Sequence, residues 1–462
     1  MRPSILLGKS VSQASKILKR TGSTWPGHLA LKVDSQVIAK ILQNNPSLEI
    51  ILIAGTNGKT TTTKLIQNVL ETQGKKVFRN EAGANLLNGI TSTLIKHSDL
   101  HGKINYDAAI LEIDENSLPQ VLYEVRSAKC KLSIILLNLF RDQLDRYGEV
   151  NTIAKNWLES LKTLSSSRTQ GETLIQGATL ITNGDDPMLR FIGENSGLHS
   201  FYFGLSEKFM KKMDAPHDVD FLFCPHCETE LKYSKRSYSH MGIYSCPKCH
   251  FEHKKTATFD DLPNPMFGIY NRYNINAAAL LLQKAFGVSE DSIKKTLDAF
   301  APAFGRQEKI EYGGKNIFLL LSKNPTGFNQ SIQAILENHH SVIASNAKQS
   351  PDSGPNILLL LNDRIPDGRD VSWIWDVEFE KLSEKSKHIT VSGDRCYDMA
   401  LRLKYCESQV AGRKSNFKIE ENLNAAINLA VSETSTSDTL YILATYSAML
   451  ETRRILTGRS IL

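Results

Sequence analysis

The sequence predicts a doubly wound α/β protein built from two Rossmann-like domains, and three observations lead there. First, runs such as "LEIILIAG" (Leu48 to Gly55) are continuously apolar and β-branched, the pattern of a strand buried on both faces. Second, such runs recur with spacers long enough for crossover helices, which is the order of a parallel sheet. Third, the series restarts after "APAFGRQEKIEY", and 462 residues exceed one typical domain.

In order, the Leu48 strand leads into "KTTTTKLIQNVLETQ", where Leu65, Ile66, Val69 and Leu70 recur at helical spacing until Gly74 stops the helix. Further buried strands are expected at "YDAAILEID" (Tyr106 to Asp114), "KLSIILLNL" (Lys131 to Leu139) and "ATLITNGDD" (Ala178 to Asp186). These make a first domain over residues 1–300. From about residue 212 to 255 the pattern breaks into short polar pieces, read as an inserted module. The second domain, residues 301–462, carries "NIFLLLS", "NILLLLND", "HITVSG" and "TLYILATY", with a polar surface loop expected at Ser345 to Pro355.

Hydrophobic residues make up 41% and charged residues 23%, and no apolar run approaches the roughly 20 residues that span a bilayer. The N-terminal apolar run, Ile5 to Leu7, is too short for a signal-peptide core, so a cytoplasmic protein is expected. A net charge of +6 suits an anionic partner: a nucleotide, a phosphate or a membrane surface. A dense Lys/Arg stripe with interleaved aromatics is missing, so nucleic acid is not the expected ligand.

Cys224, Cys227, Cys246 and Cys249 form two C-P-x-C pairs, "FCPHC" and "SCPKC", while Cys130, Cys396 and Cys406 stand alone. Paired knuckles at this spacing read as a structural Zn2+ site: four thiolates close a tetrahedron and leave no position for water. His226 and His250 adjoin the knuckles, but four cysteines already satisfy the metal.

"GTNGKTTTT" (Gly55 to Thr63) sits between a buried strand and a helix, the context of a phosphate-binding loop. Gly55 and Gly58 let the backbone turn its N–H groups towards phosphate oxygens, with Thr56, Asn57 and Thr61 completing the cradle. Lys59 can reach the β- and γ-phosphates, and the Thr60 hydroxyl suits Mg2+. The loop departs from G-x-x-x-x-G-K-[ST], since Gly55 comes only three residues before Gly58.

In that form, "GTNGKTT" resembles the ATP loop of the Mur ligase superfamily. Other segments agree in order: "NEAGANLLNGIT" with Asn85, "LEIDE" with Glu112, and "LNLFRDQLDRYG" with Asn138, Asp142 and Asp145. "TNGDDP", "GIYNRYNINAAAL" with Asn271 and "FGRQEKI" with Arg306 follow. The resemblance implies an ATP site, Mg2+ held by Thr60 and Glu112, and nucleotide or phosphate contacts from Asn85, Asn271 and Arg306. It also implies activation of a carboxylate as an acyl phosphate.

Two departures narrow the expectation. Little chain precedes the Leu48 strand, too little for the domain with which ordinary Mur ligases hold a UDP-linked sugar. Their D-Y-A-H-N-P segment is here "LSKNPTGFNQS" (Leu321 to Ser331), keeping Asn324-Pro325 but placing Lys323 before the pair. With the cysteine insertion and "DGRDVSWIWD", these features resemble the MurT family, the ligase subunits of lipid II isoglutaminyl synthase. That resemblance implies amidation of the D-glutamate α-carboxylate of lipid II at the inner face of the membrane. Ammonia would come from a GatD-like glutaminase, since this chain has no Cys/His nucleophile motif of its own. The alternative is a folylpolyglutamate-type ligase that adds an amino acid.

The block "NDRIPDGRDVSWIWD" (Asn362 to Asp376) crowds acids against two tryptophans. By its own chemistry Asp367-Gly368 makes a turn and Asp370 or Ser372 caps a short helix. The family resemblance implies instead that an aspartate here faces the glutaminase and completes its Cys/His pair. Asp370 is the first choice, with Asp367 and Asp376 in reserve.

Overall fold

A computed structural model of the chain describes residues 1–17, 24–80, 83–126, 128, 130–142, 149–166, 177–301, 306–345, 354–409 and 417–459. Three helices lead: α1 (Arg2–Ile17), α2 (Trp25–Val33) and α3 (Val37–Gln43). The first α/β unit follows as β1 (Glu49–Ala54), α4 (Lys59–Thr72), β2 (Val77–Arg79), α5 (Leu87–His97), β3 (Ala108–Ile113), α6 (Leu118–Val125) and β4 (Leu132–Leu136). It continues through α7 (Val150–Ser166), β5 (Thr179–Asn183), α8 (Pro187–Asn195) and β6 (His199–Phe203). Its six strands lie in the order β2-β3-β1-β4-β5-β6, every pairing parallel.

The continuous apolar strands are explained by burial on both sides. Ile50, Leu52 and Ala54 of β1 point into a core with Ile5, Ile38, Ile41, Leu94 and Trp157. Ile51 and Ile53 point into the opposite core with Ile66, Leu70 and the helix that follows the insertion. Register pairs Ala54 with Ile113 on one side and with Leu136 on the other. The loops after β1, β3 and β4 therefore open into one crevice at the carboxyl ends of the strands, where doubly wound sheets bind ligands.

The insertion holds an antiparallel hairpin, β7 (Lys232–Tyr238) and β8 (Met241–Ser245). Helices α9 (Ile269–Phe286) and α10 (Glu290–Asp298) then pack back on α4.

The second unit runs β9 (Arg306–Tyr312), β10 (Lys315–Leu321), α11 (Pro325–Ser345), β11 (Asn356–Leu360), α12 (Phe379–Lys385), β12 (His388–Ser392) and α13 (Cys396–Gln409). It ends with β13 (Phe417–Ile419), α14 (Leu423–Glu433), β14 (Thr439–Ala444) and α15 (Tyr446–Thr457). Its sheet order is β13-β12-β11-β14-β10-β9, parallel except for β9 against β10. Both faces are again buried: Leu359 and Val391 on one, Leu319, Leu358 and Ile442 on the other.

The eight strands read from apolar runs are all present, and six others were not anticipated. β2 and β13 are three-residue edge strands, β9 is a polar edge strand, β6 is half-exposed, β7 is a polar hairpin arm, and β8 is a five-residue arm interrupted by Gly242. None carries the continuous apolar signal, which only central strands require. Most of the expected loop Ser345 to Pro355 lies outside the described residues. Truncating a fully buried central-strand side chain tests the first core: Ile134→Ala is expected to cost about 2–5 kcal/mol, measured as a lowered denaturant midpoint for this unit.

Candidate active site and zinc module

Backbone geometry fixes the phosphate loop first. Gly55 and Gly58 have φ of 146° and 90°. A Cβ on Gly58 would overlap the Asn274 side chain, so glycine is required there both for its conformation and for space. Asn138, from the end of β4, braces the loop: its Oδ1 accepts from Asn57 N at 2.8 Å and its Nδ2 donates to Asn57 O at 2.9 Å. Thr56 Oγ1 both donates to Phe140 O (3.2 Å) and accepts from Phe140 N (3.0 Å). Asn138 thus holds the loop's shape.

The acids expected to hold a metal lie across the crevice. Thr60 Oγ1 donates to Glu112 Oε2 at 2.8 Å, which brings the two residues expected to hold Mg2+ together. Glu112 is positioned by Asn80, whose Oδ1 accepts from Glu112 N (2.9 Å) and whose Nδ2 donates to Glu112 O (2.9 Å) and Ala84 O (2.8 Å). Asn85, in the same loop, accepts from Asp114 N through its carbonyl at 3.0 Å. The oxygen donors and the glycine cradle fit a nucleotide-bound hard cation. Lys59 pairs with Glu115, which sequence reasoning had not singled out, at 3.2 Å.

Closure by the second domain completes the site. Lys323 forms an ion pair with Asp142 across the cleft. Beside it, the Asn324 and Asn57 side-chain amides exchange hydrogen bonds at 3.3 and 3.4 Å, and Asn324 Oδ1 accepts from Gly327 N at 2.8 Å in the first turn of α11. The two buried carboxylates are driven apart. Burial opposes ionisation of Glu115, but Lys59 and Lys323 outweigh it and hold its pKa below the ordinary range. Burial raises Asp142 despite Lys323, and the Glu115 charge raises it further.

A cavity between the domains is lined by Gly58, Asn138, Tyr270, Asn271, Asn274 and Gln330 among others. Asn271 lines this cavity, and Asn274, one helical turn on, lines it too. Arg306 opens β9, but its side chain lies outside the described residues, as does Asp145.

The four cysteines converge, with all Sγ atoms within 4.8 Å of one another, a donor set that fits Zn2+. Each knuckle turns through a left-handed residue directly after its second cysteine, Glu228 (φ 58°) and His250 (φ 60°). His226 instead packs edge-on against Phe191 at 4.7 Å. The isolated cysteines are buried and poor nucleophiles: burial pushes Cys130 up to about 11 and Cys406 up to about 12.

The module is tied to the nucleotide domain through "TNGDDP". Asp186 caps α8, accepting from Met188 N and Leu189 N, and meets His240 Nε2 at 3.3 Å. Asp185 meets His253 Nε2 at 2.9 Å, accepts from Leu205 N at 2.8 Å, and accepts from Tyr273 OH of α9 at 2.8 Å. Neither histidine carries a signal in the sequence, because its partner is more than 50 residues away.

The three aspartates of the late loop have different surroundings. Asp367 is buried and accepts from Ser447 N at 2.8 Å and from the Ser447 hydroxyl. Asp376 meets Arg141 at 3.1 Å, facing the first domain. Asp370 is exposed and accepts from Ser372 N (2.8 Å) and Ser372 Oγ (3.0 Å), a local turn just ahead of the short 3-10 turn Ser372–Asp376, whose N-cap is Val371 rather than Asp370 or Ser372.

A P-loop joined by a second α/β domain across a crevice is the arrangement of a Mur-type ligase. Residues 53–282 match the Mur ligase middle domain, and residues 321–449 match the MurT ligase C-terminal domain. The chain is 31% identical to the lipid II isoglutaminyl synthase (glutamine-hydrolyzing) subunit MurT of Streptococcus pneumoniae, over 99% of this chain and 97% of that one. It is also 31% identical to the Staphylococcus aureus subunit of the same name, over 88% of each. In fold it resembles a pseudomurein peptide ligase type C from Methanothermus fervidus (TM-score 0.60, 18% identity, 91% and 80% of the chains covered). It likewise resembles a MurF ligase from Thermotoga maritima in complex with ADP (TM-score 0.57, 16% identity, 91% and 83% covered). The chain belongs to the MurT family of Mur ligases.

Two outcomes are expected. Gly58→Ala abolishes binding of a fluorescent ATP analogue while leaving the circular dichroism spectrum unchanged. Cys249→Ser or strong chelation removes about one zinc per chain, measured by atomic emission, and lowers the thermal midpoint.

Proposed function

We propose that this chain is the synthase subunit of a lipid II isoglutaminyl synthase, amidating the α-carboxylate of D-glutamate in the stem peptide. Near-full-length kinship with two MurT subunits carries the reading. MgATP, when bound at the loop, supplies the phosphoryl group, with Thr60 and Glu112 as the metal's ligands and Lys59 as a clamp on the phosphates. The substrate carboxylate oxygen attacks the γ-phosphorus, the bond to ADP breaks, and an acyl phosphate forms. Ammonia then attacks the acyl carbon, phosphate leaves, and the amide nitrogen loses a proton. Asp142, at the junction of the two domains, is the proposed acceptor of that proton.

A glutaminase subunit is the proposed source of ammonia. An apolar stripe is exposed on one face of α13, formed by Tyr397, Leu401 and Tyr405 at four-residue spacing, and Trp375, from the 3-10 turn that follows Asp370, packs on Tyr405 at 5.4 Å. Exposed aromatic surface of this kind is enriched at protein interfaces. Of the three aspartates, Asp370 has the carboxylate most open to a partner's histidine.

The test is co-expression with the glutaminase, followed by assay of ATP- and glutamine-dependent amidation of lipid II. Failure to incorporate nitrogen from either glutamine or ammonium, while an amino acid is ligated, would falsify the proposal. Asp370→Asn is expected to lower glutamine-driven amidation by on the order of 10²-fold or more and to leave ammonium-driven amidation intact. Equal loss of both would return Asp370 to a folding role. Lys323→Ala is expected to reduce kcat with both nitrogen sources alike.

A further inference from the structure

The positive charge of this protein is not spread evenly. The first 44 residues hold seven Lys/Arg and one Asp, an excess of six that equals the +6 of the whole chain. Five of the seven, Arg2, Lys9, Lys16, Lys32 and Lys40, lie on the three N-terminal helices, which form a basic cap on the molecule.

The same cap exposes apolar side chains. Leu6 (56%), Trp25 (60%), Val33 (55%) and Leu100 (49%) are all solvent-accessible. On α2, Trp25, His28, Lys32 and Val33 follow i, i+3, i+7, i+8 spacing and are all exposed, so one helix face is both aromatic and basic. Three contacts bring α1, the end of α2, the end of α3 and the loop after α5 together. The amino group of Met1 meets Asp34 at 2.9 Å, Lys9 Nζ donates to Ser98 O at 2.5 Å, and Asn44 Nδ2 donates to His101 O at 3.2 Å. Asp34, the lone acid of the cap, is neutralised by Met1 and Lys40.

We propose that this face, α1 and α2 with Leu100, docks on an anionic lipid bilayer. Lysine and arginine supply attraction to acidic headgroups, while a tryptophan and short aliphatic side chains enter the headgroup boundary. The placement suits a lipid-linked acceptor and rests on that reading of the function. α5 runs from the loop holding Asn85 to the patch at Leu100, and its 11 residues span roughly 16 Å. A peptide carried on a lipid headgroup needs to cross about that distance to reach the crevice.

The test uses the full chain with its glutaminase, sedimented with vesicles of phosphatidylglycerol or of phosphatidylcholine. Binding is expected to the anionic vesicles only and to fall as salt shortens the Debye length. Brominated lipid should quench part of the tryptophan emission, and Trp25→Phe should remove that part. A Leu6→Ser/Trp25→Ser/Leu100→Ser variant is expected to lose about tenfold or more in vesicle binding and in amidation of bilayer-embedded lipid II. Its amidation of a soluble, lipid-free stem peptide should be unchanged, which also shows that it folds. Wild-type protein that ignores anionic vesicles, or a triple variant that binds like wild type, overturns the docking face. If wild type amidates neither substrate, the functional reading fails, while the vesicle result still decides the docking face.

Discussion

Asn57 is held from two directions, and the active site depends on it. Asn138, at the end of a central strand, fixes its backbone through both amide groups, while Asn324, at the first turn of α11, engages its side chain. These amide pairs satisfy one another in a partly buried place where an unpaired polar atom would be costly. The loop that cradles phosphate is therefore shaped by the first domain and covered by the second. Lys59 and Thr60 follow in α4, so their aim towards Glu115 and Glu112 is set by the same brace.

The four-cysteine module is coupled to this arrangement through buried ionisable groups. Asp185 and Asp186 are fully buried, and each has a histidine from the module among its partners. Removing either histidine would leave a carboxylate facing low dielectric with one partner fewer. Because Tyr273 also binds Asp185 from α9, the helix that carries Asn271 and Asn274, the module buttresses the nucleotide pocket.

Much of the fold was legible because both sheets are covered on both faces, which forces apolar residues at nearly every central-strand position. The phosphate loop was legible for a different reason: strand, glycine turn and helix are contiguous in the chain. Contacts between distant segments left no such trace. Lys323 and Asp142 are 181 positions apart, and nothing near either residue names the other. The late loop shows the limit most clearly, since its acids are equivalent as letters yet one is buried, one spans the domains and one is exposed. The N-terminal helices showed only scattered basic residues, because their exposed face is formed by three segments brought together in space.

The Lys323 to Asp142 bridge joins the two domains through charge, and its carboxylate end is buried. Protonating Asp142 would remove the ion pair and leave the lysine facing a neutral carboxyl there. The contact between the two domains at this point therefore depends on the charge of one side chain.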